Sequence, residues 1–112
     1  MAYDEDLAHR VRALLADVDL VTETRMFGGL AFLVGGHMAV AVSRAGGLLV
    51  RVGPDAHDEA LARPHASEAV MGGRVMTGWV RVAAEGVGTA RGLAPWVRRG
   101  LAFARTLPPK RR

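Results

Sequence analysis

The chain has 112 residues, half of them apolar, with no cysteine and a formal net charge of +4. That length and apolar share suit one domain around one core, and the absence of thiols excludes disulfide staples, thiolate metal sites and cysteine nucleophiles and fits a reducing compartment. The amino terminus "MAYDEDLAHR" is acidic where a signal peptide is basic, and no apolar run reaches the ~20 residues that span a bilayer, so a cytoplasmic protein with no membrane partner is expected.

From Asp4 onward, Leu7, Val11, Leu14, Leu15 and Val18 recur on one helical face and predict a first helix capped by Asp4. Glu5 with His9 and Asp6 with Arg10, four residues apart, read as exposed pairs on its outer side. Thr24 to Val34 reads as a strand, with Phe32 and Val34 on one face and Ala31 and Leu33 on the other. After Gly35 and Gly36 comes His37 to Ser43, where Met38, Val40 and Val42 alternate with Ala39 and Ala41. A two-glycine link between alternating runs is a hairpin signal. "RAGG" then leads into a third strand, with Leu48, Val50 and Val52 on one face.

Pro54 and Asp55 open a short second helix that ends near Pro64. Residues 67–71 form a short apolar stretch, Gly72 and Gly73 supply a turn, and Arg74 to Val82 alternates Met76, Val80 and Val82 with Val75, Thr77, Trp79 and Arg81. This is a second hairpin. "AAEGVGTARG" reads as flexible, and Leu93 to Leu107 carries Trp96, Val97, Leu101, Phe103 and Ala104 at helical spacing. The predicted fold class is α+β, in the order α-β-β-β-α-β-β-α, with one antiparallel sheet and helices packed on one of its faces. One domain is expected over residues 1–107, with 108–112 as a short, frayed basic tail.

Such a sheet leaves a second face to account for. Leu33, Ala39, Ala41 and Trp79 are assigned to it as a candidate interface, and a small apolar face of this kind often meets a second copy of itself, so a homodimer or a complex with another protein is expected.

Chemical motifs are sparse. The glycine pairs lie between strands, the dinucleotide fingerprint is absent, and the only lysine, Lys110, stands far from any phosphate loop. Three pairs suit tight turns, while Gly28 and Gly29 sit inside an apolar run, where a bulge or close backbone packing is the plain reading. His57 stands beside Asp55, Asp58 and Glu59 without metal-ligand spacing, and Ser43 and Ser67 lie in no nucleophile elbow. No enzyme activity, catalytic residue, metal or cofactor is expected.

Charge is unevenly spread. Residues 1–85 hold eight basic and eleven acidic side chains, whereas residues 86–112 hold seven basic and none acidic. The plain reading is a solvated helix face with a basic end, in an arginine-rich composition of the kind a GC-rich genome produces. The alternative is that Arg91, Arg98, Arg99, Arg105, Lys110, Arg111 and Arg112 contact nucleic acid or an acidic partner, through phosphates and without base specificity. A third reading is a small-ligand or enzyme pocket near Phe27, His37 and Trp79. Trp96 is expected in the core.

Taken together, "RMFGGLAFLVGGHMAVAVSRAGGLLVRV", "MGGRVMTGWVRV" and "LAPWVRRGLAFA" resemble the TfoX/Sxy N-terminal domain family over roughly residues 22–106. The pieces that carry the likeness are Met26, Phe27, Gly28 and Gly29, the methionines Met38 and Met76 after glycine turns, the Gly72 and Gly73 turn, and Pro95 and Trp96 before Arg98 and Arg99. The resemblance implies a two-layer α+β domain like that of secretion chaperones, with a structural role for the Met26 to Gly29 segment. The family's namesakes regulate DNA-uptake competence as coactivators with the cyclic-AMP receptor protein. They carry a further C-terminal domain, and this chain, ending at Arg112, is expected to be a stand-alone version that acts through protein contacts, with a role in transcription or competence regulation.

Overall fold

The computed structural model describes residues 3–110. Six antiparallel strands form one sheet in the order β1-β2-β3-β4-β6-β5: β1 (Val21–Met26), β2 (Gly29–Val34), β3 (His37–Val42), β4 (Leu48–Arg51), β5 (Ala66–Met71) and β6 (Arg74–Val82). Helices α1 (Glu5–Leu14) and α3 (Ala90–Thr106) help cover one face, and the short α2 (His57–Leu61) follows a 3-10 turn at Pro54–Ala56. The predicted fold class and element order are found, with one strand more than the pattern indicates. The run read as a single strand from Thr24 folds back on itself at Phe27 and Gly28, and the first hairpin lies there.

Between the helices and the sheet lies the core. Leu7, Val11 and Leu15, one helical turn apart, meet Leu30 and Phe32 of β2, Val40 and Val42 of β3, Leu48 and Val50 of β4, and Val80 and Val82 of β6, joined by Leu93, Trp96 and Val97 of α3. Asp4 caps α1 as its sequence position predicts, accepting from the Leu7 N–H at 3.1 Å. The outer face of α1 departs from expectation. Arg10 donates to the Val87 carbonyl at 3.0 Å, and Arg12 makes two hydrogen bonds to Glu23 of β1, at 2.6 and 2.8 Å. That ion pair holds the Glu23 carboxyl below its ordinary range.

Helix α3 begins three residues earlier than its apolar spacing suggests. Thr89 is the cap, its hydroxyl accepting from the Gly92 N–H at 3.1 Å, and the segment read as flexible contains a 3-10 turn at Ala84–Val87. The carboxyl end also differs from a frayed tail. The Lys110 N–H donates to the Gly35 carbonyl at 2.8 Å, and His37 Nε2 lies 2.7 Å from the Pro108 carbonyl, so residues 108–110 are fastened to the β2–β3 turn. Arg111 and Arg112 lie outside the described residues. Among the described residues no helix is long and apolar enough to cross a membrane.

Two strand irregularities decide what the uncovered face carries. Phe32 pairs with Val40 but Leu33 pairs with Met38, so Ala39 is an extra residue on β3 and alternation reverses there. Ala39 turns under α3 beside Val34 and Ala104 and is only 1% exposed, which removes it from the open-face candidates. Met38, aligned by pattern with the core residues Val40 and Val42, instead faces the open side. On β6, Gly78 at φ +91° breaks the alternation in the same way, and Met76 joins Trp79 on the open face.

Candidate functional site

The open face of the sheet holds a cleft of about 610 Å³. At one end stands the β1–β2 hairpin, with Met26 and Phe27, and at the other the β5–β6 hairpin, with Met71 and Met76; Met38, Ala41, Leu49 and Trp79 complete the apolar lining. All four methionines among the described residues line it. Unbranched thioether side chains repack readily, a property that suits surfaces accommodating varied partners. Trp79 is braced from the side by Arg51, whose guanidinium lies 5.2 Å from the Trp79 ring and 5.2 Å from that of Phe103.

Phe27 has an unusual backbone. It forms with Gly28 the two-residue turn between β1 and β2, both at positive φ, +52° and +79°. Such turns favour asparagine or glycine, and the left-handed region costs a bulky L-residue about 1–2 kcal/mol. The ring gains little from the fold in return, being 77% exposed. Strain at an exposed aromatic is commonly kept for contact with something outside the chain. The glycines beside it have packing reasons. A Cβ on Gly28 would lie 2.6 Å from Arg44 Cδ, and one on Gly29 would collide with the Val42 carbonyl oxygen.

Polar chemistry gathers at the β3–β4 end of the cleft. The Ser43 hydroxyl oxygen accepts twice, from Arg81 Nη1 at 3.1 Å and from the Ala45 N–H at 3.1 Å. Both of its lone pairs are then engaged, and its own O–H proton remains to be donated. Arg81 is half-buried and Arg44 exposed, both line the cleft, and neither has an ion pair among the described residues. Among the described residues no acidic side chain lines the cleft.

Of the residues singled out in the sequence, Phe27, Trp79 and Ala41 come together here, and Leu33 lies half-buried on β2 without lining the cleft. His37 does not join them, being turned to Pro108. Ser43, Arg44, Met71 and Arg81 were not singled out as site residues. An arginine at position 81, between Val80 and Val82 in a strand, was the available signal. His57 is buried, its Nδ1 accepting from the Gly78 N–H at 2.9 Å, and so serves the backbone kink in β6.

Among the described residues the basic side chains of the carboxyl end do not converge. Trp96 is core, 7% exposed, with Arg99 lying 5.4 Å from its ring. Arg99 is tied to Glu59 at 2.9 Å, and Arg105 flanks a hollow of about 290 Å³ shared with Asp17 and Asp19. Lys110 packs over Gly36. Arg91 and Arg98 are exposed on α3 with no ion pair among the described residues.

Glu59 receives both Arg99 and Arg63, and their hydrogen bonds lower its carboxyl from 4.5 to about 2. A folded-state value below the unfolded one gives stability that is present above the unfolded pKa and lost as pH falls through the folded one. The stability difference between wild type and Glu59→Gln should therefore be largest near neutrality and close between the two values just given. Urea titrations at a series of pH values measure it; a difference independent of pH would mean that the pair does not form in solution.

The sequence model of the TfoX N-terminal domain matches residues 13–104. No curated protein and no solved structure matches the chain.

Proposed function

The chain belongs to the TfoX N-terminal domain family, and on that premise we propose that it is a non-catalytic interaction domain of the competence-regulator type. It docks an apolar, acidic segment of another protein in the cleft on the open face of its sheet. The observation that carries this reading is the cleft itself: an adaptable, methionine-rich surface rimmed by exposed Phe27 and Met71, with arginines as its only charged residues among those described. Large apolar surfaces left outside a core mark contact sites, and aromatic anchors supply most of the affinity in such contacts.

Charge decides which partner fits better. Self-pairing through this face would bring Arg44 and Arg81 of both copies into one interface without a cleft carboxylate to meet them, and uncompensated like charges oppose association. A segment carrying Asp or Glu beside its apolar residues meets both features of the surface. Light scattering at tens of micromolar should accordingly report a monomer.

Selection from a library of random displayed peptides tests the docking reading. Enriched sequences should combine large apolar residues with Asp or Glu, and their binding should move the NMR signals of the Trp79 indole and the cleft methionine methyls. Failure to enrich any sequence, or enriched peptides that perturb the helical layer instead, would overturn it.

A further inference from the structure

We propose that Arg81, Arg44 and the Ser43 hydroxyl form a carboxylate-reading corner, which makes one acidic group, set against an apolar body, the required feature of whatever enters the cleft. This inference rests on the docking reading and names the chemistry by which that site selects its partner.

Ser43 Oγ has spent its acceptor capacity on Arg81 and on the Ala45 N–H. The side chains of the corner therefore offer donors alone: the serine O–H, the guanidinium nitrogens of Arg81 not engaged with Ser43, and the guanidinium of Arg44. A half-buried guanidinium whose hydrogen-bond partner is a neutral hydroxyl retains its full charge, and nothing in the lining neutralises it. Carboxylates match this arrangement, since each has two oxygens that can accept from a guanidinium fork and a neighbouring hydroxyl together.

Position adds a second constraint. The corner lies within a cleft whose remaining walls are Met, Phe, Trp, Leu and Ala side chains. A fully hydrated anion gains nothing from those walls, and a neutral apolar molecule leaves the donors without an acceptor. Only a group that carries both features satisfies the whole surface. The stem of Arg44 crosses Gly28 closely enough that a Cβ there would lie 2.6 Å from its Cδ. The glycine at position 28 thereby serves the corner as well as the turn.

Three probes with chains of about eight carbons and different head groups isolate the chemistry: octanoate, octan-1-ol and octyltrimethylammonium, each titrated below its micelle concentration or solubility limit. Binding is read from the methyl NMR signals of Met26, Met38, Met71 and Met76, which line the cleft. Octanoate should bind roughly tenfold more tightly than octanol, and the cation more weakly than either, with the preference shrinking as salt is raised. Arg81→Gln should erase most of the preference for octanoate over octanol. Arg44→Gln, at an exposed position where folding is not at stake, should reduce the preference in part.

Equal binding of octanoate and octanol would overturn the carboxylate corner and leave the docking reading standing. If none of the probes moves the cleft methyls, both fall. Retention of the octanoate preference in the two variants would place the anion site elsewhere.

Discussion

Gly100→Ala should lower the stability of the domain by about 2 kcal/mol, although alanine is the better helix former. In an exposed helix interior that exchange stabilises by about 1 kcal/mol. At position 100 the helix lies directly on the sheet. A Cβ there would collide with the Ala39 carbonyl oxygen and lie 2.9 Å from Val40 Cγ1. The first obstacle is backbone on the bulged part of β3, which cannot swing aside as a side-chain tip can, so α3 must lift. Overpacking of this kind typically costs about 1–3 kcal/mol, and with backbone on both sides the upper end of that range or beyond applies, which outweighs the propensity gain. For a domain of this size the melting temperature should fall by roughly 10 °C. The control is Ala102→Gly, an exposed site on the same helix, which should lose only about 1 kcal/mol through propensity. A Gly100→Ala protein as stable as wild type would mean that α3 does not approach β3 this closely.

The same contact shows where sequence pattern carries the fold and where it stops. Periodicity places Leu7, Val11 and Leu15 on one side of α1 and Val40, Val42, Val80 and Val82 on one side of the sheet, because these residues obey uninterrupted local geometry. It misplaces Met38, Met76 and Ala39 because each lies beyond an irregularity set by tertiary contacts. Ala39 is the extra residue of a bulge under α3, and Met76 precedes Gly78, whose N–H and carbonyl are engaged by His57 and by the N–H groups of Val52 and Gly53. Both irregularities turn a methionine out of the core pattern and into the cleft.

Other departures have similar causes. Gly92 falls in the segment that reads as flexible, yet it belongs to α3, where the helix passes the Gly86 carbonyl too closely for a Cβ, and Thr89 caps the helix ahead of it. Phe27 conceals a turn because its side chain belongs to a strand vocabulary while its backbone has the left-handed conformation of asparagine or glycine. The cleft was partly legible, through Phe27 and Trp79. Its polar corner was not, since Ser43 and its neighbour Arg44 are far from Arg81 in sequence and meet it only when β3 and β6 are brought either side of β4.

Phe27→Asn should separate folding from docking. On the folding side two effects nearly offset. Relief of the left-handed backbone returns about 1–2 kcal/mol, and asparagine before Gly28 is the preferred pair for this turn. Against it stands the small part of the ring that is buried. With 77% of the residue exposed, the lost burial amounts to roughly 50 Å², or about 1 kcal/mol. The variant should therefore unfold at the same urea concentration as wild type or a slightly higher one. Docking should respond in the opposite sense. A rigid aromatic at the mouth of the cleft has the character of an interface anchor, and truncating such anchors typically costs 2 kcal/mol or more, so affinity for the selected acidic, apolar peptides should fall by at least about tenfold. Urea unfolding and peptide titration of the same preparation give both quantities. A variant that loses stability while retaining affinity would show that Phe27 is kept for the fold; one that is as stable as wild type but docks poorly would show that the strained turn is maintained for the surface it presents.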